Sequence, residues 1–393
     1  MTFFNNIHTI LIRCSQCCLL LVLLTGCKKD WLNIKPEKNQ AIPSKLSDYA
    51  ALLNHTGQVN SNLVAIGEVA SDGHYVTDAV FKATTNVPAL NAYPGSQPTP
   101  VQAMEAYTAC YNRIFFINVV LDGLQNLSVS TEPERKERAA LLARAGFAKA
   151  YTYYWLSQLY AQPYRPATAA TDQGLLVQEN IDFRDNVKRL TVAATYKTII
   201  DMVKEALPNL PVKPLHVTQP GQAAANALLA RVYLCMQDYE EALKYAKASL
   251  DIDPTLLDYS LLPTGQFYVG AFNAEVLYHD EMSGGEMNNF HGSSTLVDPA
   301  LFNSYADDDL RKTIFFFVNQ TTNNITFKGN YNNSNFQIFG GIANDELYLI
   351  RAESYARTGD ATNAMKDLND LLRTRWKKDG NGNTVFTVLT AAG

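Results

Sequence analysis

Basic charge is the first thing this chain has too little of. Its 33 Lys and Arg stand against 38 Asp and Glu, a formal net charge of −5 with a pI near 5.7. Binding to nucleic acid draws on clustered cations that neutralise phosphates, so that class of partner is excluded. Cysteine is also scarce where it would matter. Of the six, Cys14, Cys17, Cys18 and Cys27 fall in the first 27 residues, leaving Cys110 and Cys235. Two distant thiols make neither a disulfide framework nor a cysteine-rich metal site. Both sit in apolar helical patterns and read as buried free thiols, with a single bridge left open. No later stretch approaches the roughly 20 unbroken apolar residues that a spanning helix needs.

What is present begins at the N-terminus, where an apolar run over residues 19–24 leads into Leu24-Thr25-Gly26-Cys27. A short apolar segment that ends in small residues enters export machinery and presents a thiol for acylation. Residues 1–26 therefore read as a lipoprotein signal peptide, Cys27 as the lipidation site, and residues 27–44, with Pro36 and Pro43, as a lipid anchor and spacer.

From residue 45 the pattern is helical. Residues 101–127 carry Met104, Tyr107, Ile114, Ile117 and Leu121 at helical spacing. Residues 138–160 form another helix, with small Ala143, Ala148 and Ala150 opposite Tyr151, Tyr153, Tyr154 and Trp155, until Pro163 and Pro166 stop it.

Leu229-Ala230-Arg231-Val232-Tyr233 and Ile350-Arg351-Ala352-Glu353-Ser354-Tyr355 are internally similar. Each places Tyr three residues after a small residue and a second Ala twelve after it, Ala230 to Ala242 and Ala352 to Ala364, with Asp238-Tyr239 and Gly359-Asp360 at the turn. This is a repeated helical hairpin, and it resembles the tetratricopeptide repeat. A third hairpin pairs residues 138–160 with 195–207, and a fourth uses 101–127. The expected fold is mostly α: a tetratricopeptide-like hairpin scaffold forming a single domain over residues 45–393, interrupted by irregular, aromatic-rich loop insertions at about 67–100 and 263–341. Loops of that length in a compact domain are usually functional or disordered.

The stretch Asp345-Glu346-Leu347-Tyr348-Leu349-Ile350-Arg351-Ala352-Glu353-Ser354-Tyr355, with Asp367-Leu368-Asn369 and Arg373-Thr374-Arg375 after it, resembles the hallmark helix pair of the SusD/RagB family. Tyr107 with Ile114 and Asn118, residues 148–160 before Pro163-Tyr164, and Asp307-Asp308-Asp309-Leu310-Arg311 support it in the same order. The resemblance covers nearly the whole chain after Cys27. It implies an outer-membrane, lipid-anchored and surface-exposed nutrient-uptake protein of Bacteroidetes. Such a protein binds an oligomeric nutrient, most often a glycan, and delivers it to a SusC-like TonB-dependent transporter. Peptide ligands occur in the family too. Its members continue past the point equivalent to Gly393, so the resemblance implies that this chain is truncated, its closing segment missing, and that the helices over residues 345–376 lack part of their packing partner.

A glycan site needs flat apolar faces for sugar rings and polar groups for hydroxyls. The candidate ligand residues in the insertions are Tyr75, Phe81, Tyr93, Phe267, Tyr268 and Phe290, each weighed against simple burial in the scaffold. Glu346, Arg351 and Glu353 read as a solvated or ion-paired helix face. Asp280-Glu281 and Asp307 to Asp309 are the carboxylate clusters that a glycosidase reading could use, and no signature frames them, so the expectation is a binder rather than an enzyme. His279, Asp280 and His291 match no standard metal spacing, and Asp72, Asp78 and the Asp307 cluster lack the ordered ligands of a calcium loop. No cofactor is expected. The rival reading is a tetratricopeptide-like lipoprotein scaffold that grips a protein or peptide in its concave face.

Overall fold

Eight longer helices carry the architecture: α1 (Leu46–Leu53), α2 (Pro100–Asn126), α3 (Glu132–Tyr160), α4 (Val192–Ala206), α5 (Gln222–Cys235), α6 (Tyr239–Ile252), α7 (Asn344–Arg357) and α8 (Ala361–Arg373). They come from a computed structural model that describes residues 42–63, 65–83, 100–182, 189–263, 269–282, 295–329, 331, 332, 334 and 337–390. Cys27, the signal peptide and most of the tether lie outside the described residues. The chain from Lys45 to Gly393 groups as one compact unit.

The helix starts follow local chemistry. At α3, Thr131 Oγ1 accepts from the Glu134 amide at 3.3 Å while Glu134 Oε2 accepts from the Thr131 amide at 2.8 Å, a reciprocal capping box. Those bonds hold the Glu134 carboxyl below its ordinary pKa. This cap starts α3 six residues before the expected position, because its first two turns are polar and carry no apolar periodicity. Asp238 and Asp360 cap α6 and α8 by accepting from Glu241 and Asn363 amides at 3.2 and 3.0 Å. Gly359 takes φ +90 in the α7–α8 turn, a left-handed conformation that glycine adopts without a Cβ penalty.

The expected hairpins are present. Helix α5 packs against α6, α7 against α8, and α6 against α7, so the two hairpins stack; α3 pairs with both α2 and α4. Ala224, Ala227 and Ala230 on α5 and Ala242 and Ala246 on α6 are buried, which lets the helices approach closely. Ser249 donates to the Ala223 carbonyl across the pair at 2.9 Å. Tyr233 and Tyr245 stack with ring centres 5.6 Å apart, and Lys204 of α4 lies over both, tying the third hairpin to the next. Cys110 is buried and Cys235 partly so, and both are free thiols.

The two insertions are less irregular than their composition suggests. Short antiparallel pairs join His74–Tyr75 to Leu296–Val297, Val276–Tyr278 to Ile342–Ala343, and Phe316–Val318 to Ile325–Phe327. A fourth, Gln173–Leu176 with Arg189–Thr191, lies between α3 and α4. Strands of two to four residues are too short for alternation to register in a sequence. A buried ion pair, Arg113 Nη2 to Asp280 Oδ2 at 2.7 Å, bolts α2 to the second insertion, with both side chains almost wholly out of solvent.

Candidate functional site

A cavity of about 540 Å³ opens where α3, α5, α7 and the second insertion converge. One wall is Tyr154 and Trp155, the end of the aromatic cluster that α3 carries before Pro163. Helix α5 contributes Arg231, α7 contributes Asp345, Glu346 and Leu349, and the insertion contributes Phe315, Tyr331 and Phe339. Arg311, Arg375 and Glu68 complete the polar lining.

Arg231 is held in place on several sides. Its Nε donates to Glu346 Oε1 at 2.6 Å and its Nη2 to the Gly341 carbonyl at 3.0 Å, while the guanidinium lies 5.6 Å from the Tyr154 ring centre. Tyr151 donates to the neighbouring Gly340 carbonyl. The backbone comes this near because position 341 lacks a side chain: a Cβ there would sit 2.1 Å from the Tyr278 carbonyl oxygen.

At the opposite end the floor is a buried charge network. Arg375 Nη2 pairs with Glu275 at 2.6 Å and lies 3.9 Å from Asp345, with its guanidinium 4.1 Å from the Tyr259 ring centre. Tyr331 donates its one proton to Glu275 Oε2 at 2.6 Å, so the Tyr259 hydroxyl, 2.9 Å away, must donate to Tyr331. Burial pushes both carboxyls above their ordinary pKa, and the charge of Asp345 adds to the rise at Glu275. Arg311 is paired with Asp309 at 2.6 Å. Each of the three arginines thus has an acidic partner, and the cavity presents aromatic faces among fixed donors and acceptors.

The aromatic surface extends outward from this wall. Phe339 lies 5.5 Å from Tyr331 and 5.7 Å from His279, and His279 lies 4.6 Å from Phe272. Phe272 is 47% exposed and takes φ +57, a strained conformation for a non-glycine residue, with His216 4.6 Å away from its ring centre.

The sequence candidates fare unevenly. Tyr75 pairs in register with Leu296, and Phe81 lies on the short helix Asp78–Ala83; each is 40% exposed, and neither lines the cavity. Tyr93, Phe267, Tyr268 and Phe290 lie outside the described residues, as does His291. Glu346, Arg351 and Glu353 are ion-paired as expected, with Arg231, Asp367 and Arg357. Asp280 is committed to Arg113, and Asp307 and Asp308 to Lys312 and Lys377. No cluster of three metal-ligating side chains occurs among the described residues. Of the cavity residues outside the candidate set, Tyr331 and Phe339 carry no local signal, and Arg231 and Arg375 lie in the repeat and hallmark segments with nothing there that marks them as ligand contacts. Trp155 and Tyr154 were visible as part of an aromatic cluster at a helix end before a proline stop.

A SusD-like family model, described as starch-binding and associating with the outer membrane, matches residues 30–234. No curated protein matches the chain. Among solved structures, a candidate sugar-binding protein from Bacteroides vulgatus ATCC 8482 is similar with a TM-score of 0.71 at 21% identity, over 90% of this chain and 83% of that one. A SusD superfamily protein from the same organism gives 0.69 at 19% identity, over 88% and 82%. A laminarin-binding SusD-like protein gives 0.61 at 16% identity, over 87% of each chain. At these identities the likeness establishes the fold.

Proposed function

The chain belongs to the SusD-like family of starch-binding, outer-membrane-associated proteins, and from that membership we propose that it captures a glycan in the cavity between Trp155 and Arg375 and passes it to a TonB-dependent transporter. The observation that carries the ligand class is the lining. Six aromatic side chains, Tyr154, Trp155, Tyr259, Phe315, Tyr331 and Phe339, stand among three arginines that are each already paired with a carboxylate. A neutral polyhydroxylated ligand suits this best, because its ring faces stack on aromatics while its hydroxyls reach the fixed polar groups without displacing an ion pair. Two similar structures named for sugar or laminarin binding support the same class.

On this reading the protein is a binder, not a hydrolase. Glycoside cleavage needs two carboxyl groups flanking a bond, free to act as acid and as base or nucleophile. Of the carboxylates that line the cavity, Glu346 is paired with Arg231 and Asp345 lies 3.9 Å from Arg375. Anchoring through an acylated Cys27 completes the reading; among the described residues no helix is long and apolar enough to cross a membrane.

Isothermal titration with starch-type and laminarin-type oligosaccharides tests the assignment. Saturable binding is expected, with Trp155→Ala weakening it at least tenfold through the loss of one stacking face, about 1.4 kcal/mol. A folded wild type that binds none of the panel, or an alanine variant that binds equally well, would place the ligand elsewhere.

A further inference from the structure

A second cavity, of about 310 Å³, shares no lining residue with the first. It is a groove over α3, flanked by α2 and α4. Its walls combine apolar Leu121 from α2, Leu142 from α3 and Met202 from α4 with polar Gln125, Glu205 and Asn209. Its floor steps along α3 from Ala139 through Ala143 to Gly146 and ends on Lys149, ten residues or about 15 Å of helix.

Two features make this more than a packing gap. Gly146 lies in a helix interior, where glycine is unfavourable, yet a Cβ there would meet nothing within 4 Å, so the space it leaves open is not required by any neighbour. Lys149 is 4% exposed and carries three donors, of which the structure satisfies one, at the Glu179 carbonyl 3.1 Å away. The Glu179 charge acts on it without forming an ion pair. A buried cation without a paired anion is costly, and such groups are normally neutralised by a partner. Burial pushes the Lys149 pKa down to about 8, so it still carries its charge at neutral pH.

We propose that this groove is a second small-molecule site, separate from the aromatic cavity, that takes a monocarboxylate with an unbranched apolar tail, the carboxylate pairing with Lys149 and the tail lying over Gly146 and Ala143. The width set by Ala and Gly suits a chain one methylene thick, and the pocket falls at the small end of the range that binds small ligands. Glu205 also lines the groove, but it is exposed and its charge is screened by water.

Titration of the full chain in detergent-free buffer with octanoate, and with octanol as the uncharged probe of equal length, tests this. The wild type should bind octanoate saturably and octanol at least tenfold more weakly. Lys149→Met should remove that preference. Because this variant also loses the bond to Glu179, Gly146→Leu serves as a second: it fills the groove, leaves Lys149 in place, and should abolish octanoate binding while melting no earlier than wild type. Equal affinity for the two probes, no saturation by octanoate at millimolar concentration, or unchanged binding by Gly146→Leu would each overturn the site. None of these readouts depends on whether a glycan binds the aromatic cavity.

Discussion

Lys149 couples a candidate ligand contact to the pH dependence of folding. Its folded pKa of about 8 lies below the ordinary lysine value because burial disfavours the charged form. Between about pH 8 and 10.5 the folded chain therefore binds fewer protons than the unfolded one, and stability rises with pH across that window and is lost as pH falls through it. At neutral pH the cost is about 3 kcal/mol, since each tenfold change in proton affinity is worth roughly 1.4 kcal/mol. Urea unfolding of wild type and Lys149→Met from pH 7.5 to 10.5 should show the wild type gaining about 3 kcal/mol relative to the variant. A constant difference would mean that the ammonium is solvated in the fold. Nothing in the sequence flagged this residue. Lysine at a helical position reads as a solvent-facing charge, and only the packing of α2 and α4 on either side of α3 buries it.

The helices and their ends were largely legible. Asp238 and Asp360 stand just ahead of their helices in the sequence, and both accept the amide three residues on. Asp238→Ala and Asp360→Ala should each cost about 1 kcal/mol, read as a lowered urea midpoint at constant slope. An unchanged midpoint for either would mean that water caps that helix as well as the carboxylate does. The twelve-residue interval from Ala230 to Ala242, repeated from Ala352 to Ala364, was readable because a hairpin's close contacts are set by local periodicity. The short strands were not readable. Pairs such as Tyr75 with Leu296 exist because residues 221 positions apart meet, and a two-residue strand has no pattern of its own.

For the molecule as a whole, anchoring is the property most open to test. Cys27→Ala should move the protein from the membrane fraction to the soluble or unprocessed fraction, since acyl chains hold a protein on a bilayer and a spanning helix is not the expected anchor. Retention in membranes after a high-salt wash would show that something other than acylation at Cys27 holds it there.

By itself, the sequence determined the hairpin scaffold, its turns and the family resemblance, because each rests on spacings within a few turns of helix. Tyr154 and Trp155 were visible in it only as part of the aromatic face of a helix. Only the tertiary structure decided which residues meet around a cavity. The cavity draws on Glu68, Arg231, Tyr331 and Arg375, and the groove on Leu121, Lys149 and Met202. Convergence of residues that far apart depends on how helices stack, and on positions such as Gly341 and Gly146 where a missing side chain lets backbone or ligand approach.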